Sequence, residues 1–274
     1  MRSLLFRRTT PLVCALLLLS TFLLPIRAEQ ASVQVHTPQG PLISDVSSFV
    51  EDGTAYVPLA AFAHTMGEHS TNWDGQTARI ISEDVTLSAT PGDQWLEANG
   101  RCLYVPDEVR LVDGRTMVPV RTAAQIYGAQ VSWDADTQTV TVTEGTQPLE
   151  HADTYYDPDT LYWLSRVISA ESRGEILTGQ IAVGNVVLNR LESDIFPDTL
   201  YGVIFQKDQF EPVENGTIYQ DPYYLSVIAA KLCLEGVEVM GDCMYFFAPA
   251  LSPGTWIVNN RTYYATIGCH RFYL

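Results

Sequence analysis

Lysine is scarce in this chain of 274 residues, and positive charge as a whole is low. The only lysines are Lys207 and Lys231, and 16 basic residues stand against 32 acidic ones, a formal net charge of -16. Because nucleic-acid binding depends on Lys and Arg that neutralise phosphates, this balance argues against a nucleic-acid-binding protein. It also disfavours docking to an anionic membrane and is typical of the solubilising surface of an exported protein.

Long apolar runs are absent except at the N-terminus. Arg2, Arg7 and Arg8 precede an apolar run over residues 12–24, and Ala28 supplies a small residue at the end of the segment. This pattern predicts a secretory signal peptide, residues 1–28. The run is shorter than the roughly 20 apolar residues that a bilayer core requires, so no transmembrane segment is expected after cleavage. The mature chain is predicted to be secreted.

Cysteine and histidine are too few, and too irregularly spaced, to predict a metal site. A disulfide between Cys233 and Cys243 and buried free thiols are equally compatible with an exported chain. No cofactor is expected. The cysteines beyond the signal peptide, whose spacing matches no zinc pattern, are Cys102, Cys233, Cys243 and Cys269.

An internal repeat covers residues 50–143. Residues 52–59 (DGTAYVPL) align with residues 113–120 (DGRTMVPV), and Trp73-Asp74 aligns with Trp133-Asp134. Each copy predicts a turn at Asp-Gly, a strand ending at Val-Pro, an apolar helix and, after Trp-Asp, a closing strand. The helices are expected from Ala60 to Met66 and from Thr122 to Tyr127. The repeat therefore predicts a small β-rich α/β domain.

This repeat resembles the stalk-type domain that is similar to the N-terminal domain of copper amine oxidases. The resemblance covers about residues 30–145 and implies a non-catalytic module for spacing or attachment, which we assign to residues 29–145. It carries over no copper chemistry, because His36, His64 and His69 lack ligand spacing and are expected to be exposed polar residues. Residues 146–158 carry Gly, Pro and acidic residues without apolar periodicity, and we assign them to a linker.

A helix is predicted to begin after Asp159 or Thr160 and to end before Gly174. Its core-facing stripe ends in a carboxylate, Glu171. The stripe, at about 100° per residue, consists of Leu161, Leu164, Ile168 and Glu171.

The position of Glu171 favours a raised carboxyl pKa, because apolar neighbours and the negative end of the helix dipole both disfavour the charged form. A general acid for glycosidic cleavage needs this property, since it must still hold a proton at neutral pH. A structural ion pair with Arg166 or Arg173 is an equally good interpretation of the position alone.

Downstream of Glu171, a helix from Gly179 to Arg190 is apolar on most sides and is predicted to be buried. Its amides Asn185 and Asn189 either tie down a loop or line the cleft. Residues 196–216 alternate Gln and aromatic side chains, as a sugar groove requires. The remaining predicted elements are a helix from an N-cap at Asp221 to Leu234 and strands at 244–247, 256–258 and 263–273.

Residues 160–274 resemble the SleB/CwlJ cell-wall hydrolases, the family of the spore cortex-lytic enzymes. The resemblance implies a lysozyme-like α+β catalytic domain at residues 159–274 and a lytic transglycosylase activity on peptidoglycan, with Glu171 as the catalytic glutamate. The motifs that carry it are Ala170 to Glu175, Gly179 to Val183, Val187 to Arg190, Phe196-Pro197, Gln209-Phe210, Tyr245-Phe246 and Ile267 to Tyr273.

This resemblance also implies a location in the cell wall or spore envelope. The sequence leaves two choices open: the substrate is spore cortex or vegetative wall, and the activity is that of a transglycosylase or of a hydrolytic muramidase. It also leaves open whether an accessory protein takes part. For Glu175 a salt bridge is the alternative to sugar contact. The predicted substrate-binding residues are Glu175, Asn189, Gln209, Phe210 and Tyr245.

Other functions fit the sequence less well. An amidase that cuts the muramyl-peptide bond usually needs zinc, and His151 and His270 are too few ligands for it. A cysteine peptidase would pair Cys233 or Cys269 with His270, yet adjacent residues on a strand point to opposite faces. A non-catalytic wall-binding protein is the third alternative.

Overall fold

The computed structural model describes residues 31–67 and 69–274. The predicted signal peptide lies outside these residues. Within them, no helix combines the length and the apolar character that crossing a membrane requires. The chain forms a β-rich region, residues 31–142, and a helical region, residues 158–274, and this mixture confirms the predicted α+β class.

Short strands and two helices build the β-rich region. Its sheets have the strand orders β1-β4-β5-β12-β11, β10-β9-β8-β7-β6 and β13-β14-β2-β3. In chain order the elements are β1 (Ala31–Ser32), β2 (Gln34–Thr37), β3 (Gly40–Pro41), β4 (Phe49–Glu51), β5 (Thr54–Pro58), α1 (Leu59–Met66), β6 (Ser70–Trp73), β7 (Ala78–Ile81), β8 (Thr86–Ala89), β9 (Trp95–Ala98), β10 (Arg101–Tyr104), β11 (Arg110–Val112), β12 (Arg115–Pro119), α2 (Val120–Ile126), β13 (Val131–Asp134) and β14 (Thr139–Val142).

The two copies of the repeat meet at the centre of the first sheet. Strands β5 and β12 pair antiparallel with Val57 opposite Val118, and each runs directly into its helix. The hairpin turn before each strand has positive φ at both Asp and Gly, namely 48° and 80° at Asp52-Gly53 and 47° and 76° at Asp113-Gly114. Tight hairpins need this backbone because it matches the twist of the strands. The Asp-Gly repeat is therefore a structural signature.

Helix α5 is the centre of the helical region. It is buried over most of its surface and packs against α4 and α8, which also pack against each other, with a small sheet of order β15-β17-β16 on one side. In chain order the elements from residue 152 onwards are α3 (Ala152–Tyr155), α4 (Pro158–Ser172), α5 (Leu177–Glu192), α6 (Leu200–Ile204), α7 (Glu211–Asn215), α8 (Tyr224–Leu234), β15 (Tyr245–Phe247), α9 (Thr255–Asn260), β16 (Tyr263–Ile267) and β17 (His270–Tyr273).

The starts of helices α4 and α8 differ from the prediction because of side-chain contacts. Helix α4 is capped by Asp157, whose carboxylate accepts the N–H of Thr160 at 2.7 Å, and Pro158 opens the helix. This is a better start than Asp159 or Thr160, because proline at the first position leaves no N–H to satisfy. Helix α8 begins at Tyr224 instead of Asp221, because the Asp221 carboxylate accepts a hydrogen bond from Arg166 on α4 at 2.9 Å.

The strand predicted at residues 256–258 is wrong, since Trp256 to Val258 belong to helix α9. Their β-branched and aromatic side chains favour a strand in isolation. Gly254 turns the chain into the helix with φ of +56°, and the ring of Phe247 lies 2.5 Å from where a Cβ would stand. Because of this close contact only glycine fits at position 254, and the helix begins directly after it.

A buried polar joint connects the two regions. Glu235, at the end of α8, accepts two hydrogen bonds from Arg101 on β10, at 2.8 and 2.6 Å, and one from the Tyr156 hydroxyl at 2.6 Å. Lys231 donates to the carbonyl of Gly100 at 2.7 Å. The segment predicted as a linker thus contains α3 and places Tyr156 inside this joint. The regions are docked against each other here.

Candidate active site

Glu171 is the penultimate residue of α4, one turn after Ile168 and two turns after Leu164. Both of these apolar residues are fully buried, and the predicted stripe therefore forms as expected. Among the described residues, no hydrogen bond or ion pair reaches the Glu171 carboxyl. The ion pairs proposed as an alternative do not form, because Arg166 binds Asp221 and Arg173 lies over the ring of Tyr223.

The Glu171 carboxyl has a raised pKa. Burial is the largest cause of the shift, and the negative charge of Glu211 also raises the pKa. The cation of Arg190 lowers it, and the resulting pKa is about 7. A carboxyl group in apolar surroundings prefers its neutral form because the charged form loses hydration. Glu171 therefore holds a proton at a pH where ordinary glutamates have lost theirs.

Arg190 is the cation of this site and comes from the last turns of α5. It is only 5% exposed, and its Nε donates to the carbonyl of Met244 at 2.7 Å, while Nη1 is buried without a hydrogen-bond partner among the described residues. Its guanidinium carbon lies 5.1 Å from the ring centroids of Phe196 and Phe210. Burial lowers the pKa of Arg190 to about 10, and the charge of Glu171 raises it.

Two of the predicted substrate-binding residues are used by the fold. The Asn189 amide donates to the carbonyls of Gly241 at 2.6 Å and Cys243 at 3.0 Å, so its N–H groups tie down that loop. Phe210 is 3% exposed and packs against Phe246 with ring centroids 6.5 Å apart. Phe210 thus packs beside Arg190, and its burial argues against direct sugar contact.

Glu175 is also committed to structure. Its carboxylate accepts the N–H of Cys269 at 3.1 Å and lies 3.6 Å from Nδ1 of His270, a residue whose pKa burial lowers. At Gly268, where φ is +55°, a Cβ would stand 1.6 Å from a Glu175 carboxylate oxygen. This close fit secures the β16–β17 hairpin against the α4–α5 turn and favours the structural alternative for Glu175.

Tyr245 and Gln209 are the predicted sugar contacts that stay accessible. Tyr245 is partly exposed on β15, and its hydroxyl accepts a hydrogen bond from Arg261 at 2.8 Å. Its ring centroid lies 5.8 Å from the guanidinium carbon of Arg190, beside the site. Gln209 is exposed immediately before Phe210. Both remain proposals for substrate binding.

Sequence reasoning missed Arg190 and Glu211, the charges that act on Glu171. Each directly follows a residue that was singled out, Asn189 and Phe210 respectively. The available signal was Arg190 itself, a cation near the end of an otherwise apolar buried helix, where charge needs a partner. No comparable signal marks Glu211, which reaches Glu171 from a distant segment.

The cysteines are poorly suited to nucleophilic chemistry. All four beyond the signal peptide are free thiols, so the disulfide between Cys233 and Cys243 is not formed. Burial raises the pKa of Cys233 to about 12, and a hydrogen bond with Glu175 raises the pKa of Cys269. Reactive cysteines need a lowered pKa. In the described part of the chain, no three His, Cys, Asp or Glu side chains are grouped to hold a metal ion.

Known proteins resemble both regions. Residues 174–273 match the cell wall hydrolase family, and residues 39–142 match the copper amine oxidase N-terminal domain. The spore cortex-lytic enzyme of Oceanobacillus iheyensis is 35% identical over 117 residues, which are 43% of this chain and 42% of that protein. The cell wall hydrolase CwlJ of Bacillus subtilis is 28% identical over 40% of this chain and 81% of its own length.

Among solved structures, the catalytic domain of the germination-specific lytic transglycosylase SleB from Bacillus anthracis is 34% identical to this chain. The match covers 43% of this chain and 97% of that domain, with a TM-score of 0.41. The chain spans less than half the length of the spore cortex-lytic enzymes that it matches. The helical region of this chain is therefore similar to cell wall hydrolases, among them spore cortex-lytic enzymes, and the β-rich region is similar to the copper amine oxidase N-terminal domain.

Proposed function

We propose that this chain is a secreted peptidoglycan-lytic enzyme that acts on the spore cortex and cleaves the bond between N-acetylmuramic acid and N-acetylglucosamine as a lytic transglycosylase. Glu171 is its acid and base. The observation that carries the proposal is the Glu171 carboxyl, which is partly buried, has no hydrogen-bond partner among the described residues and has a pKa near neutrality. The relatives named above, which include spore cortex-lytic enzymes and a germination-specific lytic transglycosylase, support the choice of substrate.

The reaction needs one carboxyl group in two protonation states. Protonated Glu171 gives its proton to the oxygen that leaves on N-acetylglucosamine as the bond from that oxygen to muramic C1 breaks. The Glu171 carboxylate then takes the proton of the muramic C6 hydroxyl while that oxygen bonds to C1. The nucleophile is part of the substrate, so its effective concentration is already high and no second carboxylate has to hold a water molecule.

A pKa near 7 serves both steps, because an acid that is also a base works best close to the operating pH. Burial alone would favour only the neutral form of Glu171. The Arg190 cation counters this by stabilising the carboxylate that remains after the proton has left. Glu211 acts in the opposite direction and keeps the proton on Glu171. The two charges therefore shift the pKa of Glu171 in opposite directions.

Glu211→Gln is expected to shift the pH dependence of kcat/KM. The Glu211 charge raises the pKa of Glu171, so removing that charge lowers this pKa. Since the acid step requires protonated Glu171, activity falls as pH rises through its pKa, and in the variant this fall should begin at lower pH. Rates on purified peptidoglycan between pH 5 and 9 measure the shift.

Glu214→Gln is the matched control, because Glu214 is also exposed and lies on the same short helix, α7. Its profile should coincide with that of the parent chain. Raising the salt concentration should shrink the Glu211 effect, since mobile ions screen a charge that faces solvent. A Glu211→Gln profile that moves to higher pH, or does not move, would contradict the assignment.

Mass spectrometry of the digestion products tests the proposed function as a whole. The chain would be incubated with purified spore cortex and, in parallel, with vegetative wall. We expect fragments with 1,6-anhydromuramic ends, released faster from cortex. Reducing muramic ends would show that the reaction is hydrolysis and not transglycosylation. Free stem peptides beside intact glycan strands would show an amidase instead.

A further inference from the structure

The connection between β15 and β16, residues 248–262, carries apolar side chains that the fold does not use. Helix α9 lies within it and has no buried residue. Leu251 is 89% exposed, Trp256 57% and Val258 49%. A helix normally buries one apolar face. An exposed tryptophan on a helix without a buried residue therefore indicates a surface that binds a ligand.

Trp256 is held in place although it is exposed. Its ring centroid lies 5.9 Å from that of Tyr245, and the guanidinium carbon of Arg261 lies 5.0 Å from the Trp256 ring and 4.4 Å from the Tyr245 ring. Arg261 also donates to the Tyr245 hydroxyl at 2.8 Å. Two neighbours thus fix the indole at one side and leave more than half of the residue open to solvent.

This arrangement continues directly from the proposed active site. Tyr245 lies beside Arg190, with 5.8 Å between its ring centroid and the guanidinium carbon, and Arg190 is the cation that acts on Glu171. Trp256 is the next ring in this series of contacts, 5.9 Å from Tyr245 between ring centroids. A polymer bound with its scissile bond at Glu171 can therefore extend over Tyr245 to Trp256.

We propose that Trp256 is a sugar-binding platform on which a pyranose ring of the glycan strand stacks, away from the bond that is cleaved. The proposal rests on the proposed function, since it takes the strand from Glu171 outwards. The apolar face of a pyranose matches a large, rigid aromatic surface with a polar rim, which here is formed by Arg261 and the Tyr245 hydroxyl. A lipid surface is the other ligand that takes exposed Trp and Leu, but the strong negative charge of the chain disfavours it.

The test measures binding separately from cleavage. In a full chain carrying Glu171→Gln, Trp256→Ala is expected to weaken binding to purified insoluble peptidoglycan by about tenfold, the order expected for the loss of one aromatic stacking contact. Trp256→Phe keeps a ring and should retain most of the affinity. With Glu171 intact, Trp256→Ala should raise KM on long strands and leave kcat nearly unchanged, because stacking at a distance contributes equally to substrate and transition state.

Tyr224→Ala is the control, because Tyr224 is a 65% exposed aromatic residue of the helical region that lies at the start of α8, near Glu97 and Cys102, and its binding should equal that of the parent. The unfolding temperature should change little for Trp256→Ala, since more than half of Trp256 is exposed to solvent and no residue of α9 belongs to the buried core. Equal peptidoglycan binding by Trp256→Ala and its parent overturns the proposal. The proposal is also overturned if Trp256→Ala loses binding to phosphatidylcholine vesicles but keeps its binding to peptidoglycan, because that result indicates a lipid contact. A failure of the proposed function itself would appear separately, as a lack of lytic activity in the unmodified chain.

Discussion

Glu171→Gln is expected to reduce kcat on purified peptidoglycan by about a hundredfold to ten-thousandfold, the range that general acid–base catalysis supplies. The amide has nearly the same shape but cannot give up a proton to the leaving oxygen. KM should change little, because the substitution keeps the volume of the side chain and removes no ion pair. Release of soluble sugar fragments over time, measured at pH 6, gives both constants.

Glu214→Gln serves as the control for this experiment as well, since it removes one carboxylate from the same domain at an exposed position. It should digest peptidoglycan at the parent rate. Circular dichroism of Glu171→Gln should match that of the parent, which separates a chemical loss from a folding loss. If Glu171→Gln digests peptidoglycan at the parent rate, Glu171 is not the catalytic acid.

Glu235→Gln is expected to lower the free energy of unfolding by about 3 kcal/mol, because breaking a buried ion pair leaves the partner charge without compensation. The partner is Arg101, and the side chains of Arg101 and Glu235 are only 8% and 6% exposed. The Tyr156 hydroxyl loses the carboxylate that it binds at 2.6 Å. Urea unfolding at pH 7 measures the change.

Asp45→Asn provides the comparison, because Asp45 pairs with Arg115 in the same two-atom manner but at the surface, with side chains 62% and 52% exposed. Exposed pairs contribute about 0–1 kcal/mol. The two variants therefore differ mainly in burial. If both cost the same, the joint between the regions is not the buried contact described above.

The joint changes what the β-rich region contributes. Cys102 of β10 belongs to the same apolar cluster as Leu164 and Ile168 of α4, the helix that ends in Glu171. The β-rich region thus packs on the scaffold of the site instead of hanging from a flexible tether. Docking of this kind sets the orientation of the helical region relative to the β-rich region.

Glu171 was predictable because its signal is local. The spacing of Leu164, Ile168 and Glu171 along one helix is enough to place a carboxylate at the end of an apolar face. The repeat was predictable for the same reason, since an Asp-Gly turn and a Val-Pro strand end are set by neighbouring residues. These features need no knowledge of the rest of the fold.

The remaining features depend on contacts between distant segments. Glu211 acts on Glu171 from another helix, and Asp221 is bound by Arg166 instead of capping α8. Trp256 lies in a helix although its neighbours favour a strand, because the ring of Phe247 controls the turn at Gly254. Tertiary packing overrides local preference at each of these positions.

Direct titration of the Glu171 carboxyl is the measurement on which the proposed chemistry depends most closely. Infrared spectra of the chain labelled with carbon-13 at glutamate side chains, recorded from pH 4 to 9 with Glu171→Gln as the subtraction reference, isolate this one group. We expect a protonated carboxyl band that disappears with a midpoint at about 7. A midpoint at the ordinary value of 4.5 would mean that Glu171 carries no proton at neutral pH and cannot act as the acid.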